Sequence, residues 1–245
     1  MLKTKTEFEA MRRAGKIVAA LLALMEKEVR PGVTTKALDE TAERFICSQG
    51  AEPAFKGYHG YPASICASVN EEVVHGIPGN RLLQEGDIVG IDVGVKIGGF
   101  YSDAARTFPV GRVDEKSLKL IEVTREAMRR GIEKAVEGNR LSDISHAVQE
   151  YAEQNGYGVV RKYTGHGIGR SLHEEPQVPN FGRPNQGPKL VEGMALAIEP
   201  MLNVGTHDVE ELSDGWTVVT KDGKRSAHFE QSIVVGKDRA EVLTE

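Results

Sequence analysis

The sequence is poor in the residues that mark several common protein classes. Its 245 residues include only two cysteines, Cys47 and Cys66, without CxxC spacing, so neither a disulfide framework nor a thiolate zinc site is predicted. No run approaches the roughly 18 apolar residues of a membrane-spanning helix, and the start, MLKTKTEFEAMRRAGK, is charged where a secretory signal would be apolar. The formal net charge is -5 with both signs interspersed, which argues against nucleic acid as the main ligand. We therefore expect a cytoplasmic protein with no membrane or DNA partner.

Apolar spacing predicts four helices and several strands. The first helix begins at a capping box formed by Thr6 and Glu9 and runs to about Val29, and the second ends at Gly50. The segment DIVGIDVGVKIGG, followed by YSDAARTFPV, predicts a β-hairpin. Asp114 is predicted to cap a third helix, and a fourth, shorter helix follows it. Further strands are predicted at 158–161, 194–203, 216–220 and 228–235.

The two halves of the chain repeat one pattern. The helical segments 32–50 and 138–156 are offset by 106 residues, and LLQEGDIVGID and KLVEGMALAIE end on Asp92 and Glu199, an offset of 107. The sequence HGIP at His75 also matches HGIG at His166, which predicts a second symmetric pair. We therefore expect an α+β fold, a duplicated helix-helix-antiparallel-sheet unit with an internal pseudo-twofold axis. Residues 1–245 would form one domain whose halves are about 1–110 and 111–245.

Several acidic residues lie in apolar strand segments. Asp92 is embedded in IVGIDVGV, Glu199 in MALAIEPML, and Glu230 precedes SIVV, where a buried charge is costly unless a cation compensates it. With Asp103 and His166 they make four carboxylates and one imidazole, a set that suits two divalent ions such as Mn, Fe, Co or Zn. In this arrangement Asp103 and Glu230 bridge the ions. A water between two such ions loses a proton near neutral pH and becomes a nucleophile.

The motifs VNEEVVHGIP, DIVGIDVGVKIGGFYSDAARTF, GHGIGRSLHEEP, MALAIEP and HFEQSIVV together resemble type I methionine aminopeptidases of the bacterial kind, over essentially the whole chain. The resemblance implies the pita-bread fold and metal ligation by the same five residues. It also implies removal of the initiator methionine from nascent proteins when the second residue is small. His75 is implied to contact the substrate backbone, His173 to donate to the scissile carbonyl, and Glu199 to shuttle a proton.

The family's substrate pocket is implied for eight positions of this sequence: Phe55, Tyr58, Tyr61, Cys66, His75, Leu172, His173 and Trp216. Phe55 stands where a small cysteine is common and Leu172 where phenylalanine is common, an exchange of volume that leaves the pocket apolar. A monovalent-cation loop corresponds to Asn70 and Ser226. The histidines at 59, 146 and 207 are interpreted as surface or loop residues, and His228 as structural.

Three alternatives stay open. Proline-specific aminopeptidases and dipeptidases share the fold and ligands but usually carry an additional amino-terminal domain, and type II methionine aminopeptidases carry a large insertion between the last two carboxylate ligands. A binding protein that kept the fold would typically lack ligands. We expect a monomer, although no sequence feature fixes the oligomeric state. The cluster of Lys221, Lys224 and Arg225 is a candidate contact for ribosomal RNA near the exit tunnel.

Overall fold

The computed structural model describes residues 3–245, in which helices and short strands alternate. The α-helices are α1 (Lys5–Glu28), α2 (Thr35–Ser48), α3 (Glu115–Glu133) and α4 (Leu141–Gln154). The strands are β1 (Glu52–Pro53), β2 (Ile65–Val69), β3 (Glu72–Val74), β4 (Ile88–Ile97), β5 (Phe100–Pro109), β6 (Gly158–Val159), β7 (Gly165–Gly167), β8 (Glu174–Val178), β9 (Ala195–Ile198), β10 (Met201–Asn203), β11 (Val209–Glu211), β12 (Val218–Thr220), β13 (Ser226–His228), β14 (Gln231–Val234) and β15 (Glu241–Val242). None of the described helices combines the length and apolar character needed to cross a bilayer.

Helix α1 begins one half-turn earlier than the sequence pattern predicts. Thr4, rather than Thr6, is the N-cap: its hydroxyl accepts from the Glu7 backbone N–H, and the Glu7 carboxylate accepts from the Thr4 N–H at 2.6 Å. The pairs Thr4/Glu7 and Thr6/Glu9 both have capping-box spacing. It is the Thr4/Glu7 pair that satisfies two backbone N–H groups at the start of the helix. The buried face of α1, including Leu21 and Met25, packs on the sheet of β2, β4 and β5. Full burial of each such side chain contributes about 1.5 to 3 kcal/mol.

The predicted duplication is visible in the element bounds and in the sheets. Helix α2 and helix α4 have the same length, and their first residues, Thr35 and Leu141, are 106 positions apart. Strand β4 lies between β2 and β5, just as β9 lies between β7 and β14. Each half therefore places two helices against an antiparallel three-strand unit. The central strands of the two units, β4 from residue 88 and β9 from residue 195, each follow an EG turn.

Two details of the sequence prediction were wrong, one in the internal symmetry and one in a strand. His166 lies in β7, opposite Ala197 of β9, whereas His75 follows β3 and not β2, the strand that pairs with β4. The two HG motifs are therefore not equivalent positions, because they lie on different strands of their hairpins. The strand predicted at 194–203 is interrupted at Glu199 and Pro200, since a proline lacks the N–H that a continuous ladder needs.

The halves meet along β5 and the chain from β13 to β14. The Glu230 N–H donates to the Ala105 carbonyl at 2.9 Å, and the Thr107 hydroxyl donates to the His228 carbonyl at 2.9 Å. Further along, the Ser232 hydroxyl accepts from the Asp103 N–H at 3.0 Å. This seam brings acidic residues from both halves to the middle of the molecule.

Candidate metal centre

Four carboxylates and one histidine come together in one cavity at the seam. The His166 Nε2 atom lies 3.4 Å from a Glu199 oxygen, 3.5 Å from Asp103 Oδ2 and 4.0 Å from a Glu230 oxygen. Asp103, His166 and Glu230 offer ligand atoms that all lie within 4.8 Å of one another, and all three are buried. Asp92 lines the same cavity.

The strands that carry these residues explain their convergence. Asp92 lies in β4 opposite Cys66 on one side and Ala105 on the other, and Asp103 lies in β5 opposite Gly94. A side chain at position 94 would not fit, because a Cβ there would lie 2.5 Å from the Phe55 ring. The glycine therefore lets the phenyl ring cover the strand beside the acidic cluster.

The hydrogen bond made by His166 determines which ring nitrogen faces the carboxylates. Its Nδ1 lies 2.9 Å from the Gly167 carbonyl, which can only accept, so Nδ1 carries the proton. Burial lowers the pKa of His166 to about 4, so the ring is neutral near pH 7. Its Nε2 lone pair consequently points at oxygen atoms of three acids, and such an arrangement is stabilised by a cation between them.

Burial and mutual repulsion disfavour ionisation of all four acids. Burial raises the pKa of Asp103 to about 6, against an opposing hydrogen bond from Ser232. For Asp92, Glu199 and Glu230, burial and then the charge of Asp103 raise the pKa well above its ordinary value. In addition, Asp92 Oδ1 is buried without a hydrogen-bond partner. An orphaned oxygen, a lone pair and four crowded carboxylates fit divalent ions, whose charge removes each of these costs.

A second histidine lies at the rim of the cluster. The His173 ring is 4.3 Å from the His166 ring, edge to face, and its residue is exposed at the cavity mouth. Its Nδ1 lies 2.7 Å from the Tyr58 hydroxyl. Although the residue is partly exposed, partial desolvation of its ring and then the neighbouring His166 lower the pKa of His173 to about 4, so this ring is neutral as well. With Tyr58 donating to Nδ1, the proton of His173 is on Nε2.

The predicted pocket residues line one cavity of about 300 Å³ that ends at the acidic cluster. Tyr61, Cys66 and Leu172 are buried in its wall, and the Trp216 ring stands 5.0 Å from the Tyr61 ring. The Tyr61 hydroxyl lies 3.1 Å from the Ile65 carbonyl and 3.0 Å from the Gly76 carbonyl, so its ring presents apolar surface to the cavity.

His75, which also lines the cavity, is held in an unusual backbone conformation. Its φ angle of 60° lies in the left-handed region, which non-glycine residues seldom adopt. Its ring meets those of Tyr163 and Trp216 edge to face at 5.5 and 6.2 Å. Burial lowers the pKa of His75 to about 4.

Sequence reasoning missed part of the cavity wall. Val74, Tyr163 and Thr164 line it, as do His59 and His228. His228 is buried with Nε2 3.9 Å from Glu199 and without a hydrogen-bond partner. Its position two residues before Glu230 on an extended segment was the available signal.

Asn70 and Ser226 lie apart from the residues that line the cavity. The Ser226 N–H donates to the Asn70 carbonyl at 2.9 Å, and the Asn70 side chain bonds Asp87 and the Ile88 N–H. The two residues are therefore adjacent, as a shared cation loop requires, but their polar atoms already have protein partners.

Comparison with known proteins identifies the family. The model of metallopeptidase family M24 matches residues 9–237. A methionine aminopeptidase of Clostridium perfringens is 56% identical over 100% of this chain and 98% of its own length. The solved structure of methionine aminopeptidase from Thermotoga maritima superimposes with a TM-score of 0.99 at 47% identity, covering 100% of this chain and 99% of that one.

A more distant structure shows how widely the fold is shared. The prolidase of Pyrococcus furiosus superimposes with a TM-score of 0.82 at 24% identity, and the match covers 100% of this chain but 65% of the prolidase. The predicted pita-bread fold is thereby confirmed. With the family model matching most of its length and a relative at 56% identity, the chain belongs to metallopeptidase family M24, in which its close relatives are methionine aminopeptidases.

Proposed function

We propose that this chain is a type I methionyl aminopeptidase that removes the initiator methionine from nascent proteins when the second residue is small. The observation that carries the proposal is one cavity with an acidic cluster at its floor and an apolar wall beside it. The catalytic domain would comprise the whole chain, 1–245. High identity to methionine aminopeptidases over both full lengths supports the same conclusion.

Two divalent ions, held by Asp92, Asp103, His166, Glu199 and Glu230, would supply Lewis-acid chemistry and lower the pKa of an attacking water. The protein's part is to fix the ligands before the substrate arrives. Asp103 is held by the Ser232 hydroxyl at 2.9 Å, and His166 by the Gly167 carbonyl at 2.9 Å. Such partners orient ligands and raise metal affinity.

The two rim histidines are proposed to act on the substrate directly. His173 Nε2–H would donate to the scissile carbonyl oxygen and stabilise the negative charge that develops there. His75, which lines the same cavity, would bind the substrate backbone. Glu199 would accept a proton and pass it to the leaving amine.

The apolar wall is proposed to bind the methionine side chain. Phe55 and Leu172 belong to one apolar cluster with Ala54, so a larger ring at 55 is matched by a smaller side chain at 172. The flexible thioether of methionine packs well against aromatic edges such as that of Trp216.

Cleavage of matched peptides tests the proposal. With added Mn, Co, Fe or Zn, peptides beginning Met-Gly, Met-Ala or Met-Ser should be hydrolysed, while Met-Leu and Met-Lys peptides should not. Preferential cleavage of Xaa-Pro peptides would assign the chain to the proline-specific branch instead. If none of these peptides is cleaved with any of the four metals, the result would favour a binding protein that kept the fold.

Ribosome docking gains no support from the basic cluster. Arg225 bonds the Asp114 carboxylate and the Gly86 carbonyl, both at 2.8 Å, and Lys224 lies 3.6 Å from Asp222. These bonds hold the turn to helix α3 and reduce the positive charge available to RNA phosphates. Ribosome docking, the cation loop at Asn70 and Ser226, and the monomeric state stay predictions.

A further inference from the structure

The segment before helix α1 contacts the loop that carries the rim histidine. The Lys3 ammonium lies 2.7 Å from Glu174 Oε2, and the Lys3 side chain is only 3% exposed. Its methylene chain lies against the loop backbone, because a Cβ at Gly169 would come within 2.2 Å of Lys3 Cε. One turn later, Glu7 pairs with Arg170. Two ion pairs therefore join residues 3–7 to the loop 169–174.

The partner of Lys3 also shapes the loop from within. Glu174 Oε1 accepts from the backbone N–H groups of Arg170 at 2.7 Å and Ser171 at 3.2 Å. The other side of the loop is attached to β5, since the Tyr101 N–H donates to the Gly169 carbonyl at 2.8 Å. Glu174 thus fixes the loop through one oxygen and receives Lys3 through the other.

This loop carries two residues of the cavity. Leu172 forms part of the wall, and His173 is covalently next to Glu174. We propose that Lys3 and Glu174 are positioning residues, which hold His173 at the place from which it donates to the scissile carbonyl. The inference rests on the proposed aminopeptidase function, because it concerns a hydrogen bond made during that reaction.

Stability alone is a weak reason for this ion pair. A largely buried pair costs several kcal/mol in lost hydration, so that its replacement by apolar groups is often neutral or stabilising. Orientation is a better reason, since a displacement of about 1 Å in a catalytic group can slow turnover about 10²-fold.

The test uses two variants that each remove the ion pair with little change of shape. Lys3→Met keeps the chain length of the stem, and Glu174→Gln keeps an oxygen for the two backbone donors. Either variant should lower kcat on a Met-Ala peptide about 10- to 100-fold, with KM within about twofold of wild type and metal content unchanged. Hydrogen exchange at the Arg170 and Ser171 amides should accelerate.

The matched control is Arg12→Ala. Arg12 lies in helix α1 and forms an exposed ion pair with Glu241, in which a guanidinium nitrogen lies 2.7 Å from a carboxylate oxygen. Neither residue belongs to the loop 169–174. Arg12→Ala should leave kcat unchanged. The double variant Lys3→Met/Glu174→Gln should be no slower than the worse single variant, because both changes remove one interaction.

A His173→Ala background separates positioning from general stability. If Lys3 acts through His173, Lys3→Met should have almost no further effect on kcat once that imidazole is gone. An equal fall of kcat in both backgrounds, or wild-type kcat in both single variants, would overturn the inference. If the wild-type enzyme itself fails to cleave Met-Ala peptides, the proposed function fails instead, and the two results are distinguishable.

Discussion

The hydrogen bond between Tyr58 and His173 predicts the outcome of removing one hydroxyl. A neutral imidazole has a single proton, and the proposed donor is Nε2, so Nδ1 must accept. The Tyr58 hydroxyl, 2.7 Å from Nδ1, can donate there because a tyrosine is protonated near neutral pH, and burial raises its pKa further. Tyr58→Phe should therefore leave His173 in place but allow the tautomer with the proton on Nδ1, which cannot donate from Nε2.

Tyr58→Phe and His173→Ala should differ in how far they lower kcat. A hydrogen bond of this kind makes a net contribution of about 0.5 to 1.5 kcal/mol, so Tyr58→Phe should lower kcat about 2- to 10-fold. His173→Ala removes the donor itself, which costs about 10²- to 10³-fold, or roughly 3 to 4 kcal/mol. KM should change much less in both, because the interaction forms mainly in the transition state.

Steady-state kinetics and metal titration on three single variants and one double variant decide the assignment. His173→Ala and Tyr58→Phe should keep their metal, whereas His166→Ala should bind it more weakly. The double variant Tyr58→Phe/His173→Ala should be no slower than His173→Ala. If His173→Ala lost a metal while His166→Ala kept two, the roles of the two histidines would be reversed.

Three further predictions follow from the site. Ser232→Ala removes the hydroxyl 2.9 Å from Asp103 Oδ1 and should weaken metal binding about 10- to 100-fold, as measured by calorimetry. Gly94→Ala forces a methyl group against Phe55 and should lower the free energy of unfolding by about 1 to 3 kcal/mol in urea titrations, where no change would contradict the packing. Burial raises the pKa of Asp103 in the folded protein to about 6 from its ordinary value of 3.8, so the protonated acid favours folding below about pH 4 and this contribution is lost as pH rises through 6. In the presence of a chelator, the unfolding free energy of wild type relative to Asp103→Asn should therefore fall by about 2 kcal/mol from pH 4 to pH 7, and a rise would refute the sign.

Much of the fold was predictable because the two halves of the chain share a recognisable sequence pattern. The EG turns before Asp92 and Glu199 fix two equivalent strands, and apolar periodicity fixes the helices. Helix starts were harder: the Thr4 and Thr6 capping patterns are alike in sequence, and only the contacts of Lys3 and Glu7 with a distant loop favour the earlier one.

The residues predicted for the metal centre and the substrate pocket lie together in one cavity, whereas other parts of the cavity wall were not predicted. An acidic residue in an apolar strand indicates a functional site, because a buried charge is costly unless a cation compensates it. The family resemblance implies the residues of the substrate pocket. Residues such as Tyr163 and Val74 give no such signal, because an aromatic or apolar side chain suits any core. The symmetry proposed for His75 and His166 failed because a shared dipeptide does not specify which strand of a hairpin carries it.

The most direct test of the account is metal binding measured together with peptide cleavage. Protein stripped of metal by chelation and dialysis should not hydrolyse a Met-Ala peptide, and titration with Mn or Co should restore cleavage as two equivalents bind. Glu230→Ala, which removes a buried acid of the cluster, should bind less metal and turn over more slowly. Full turnover by wild-type protein shown to be free of metal would contradict the central claim.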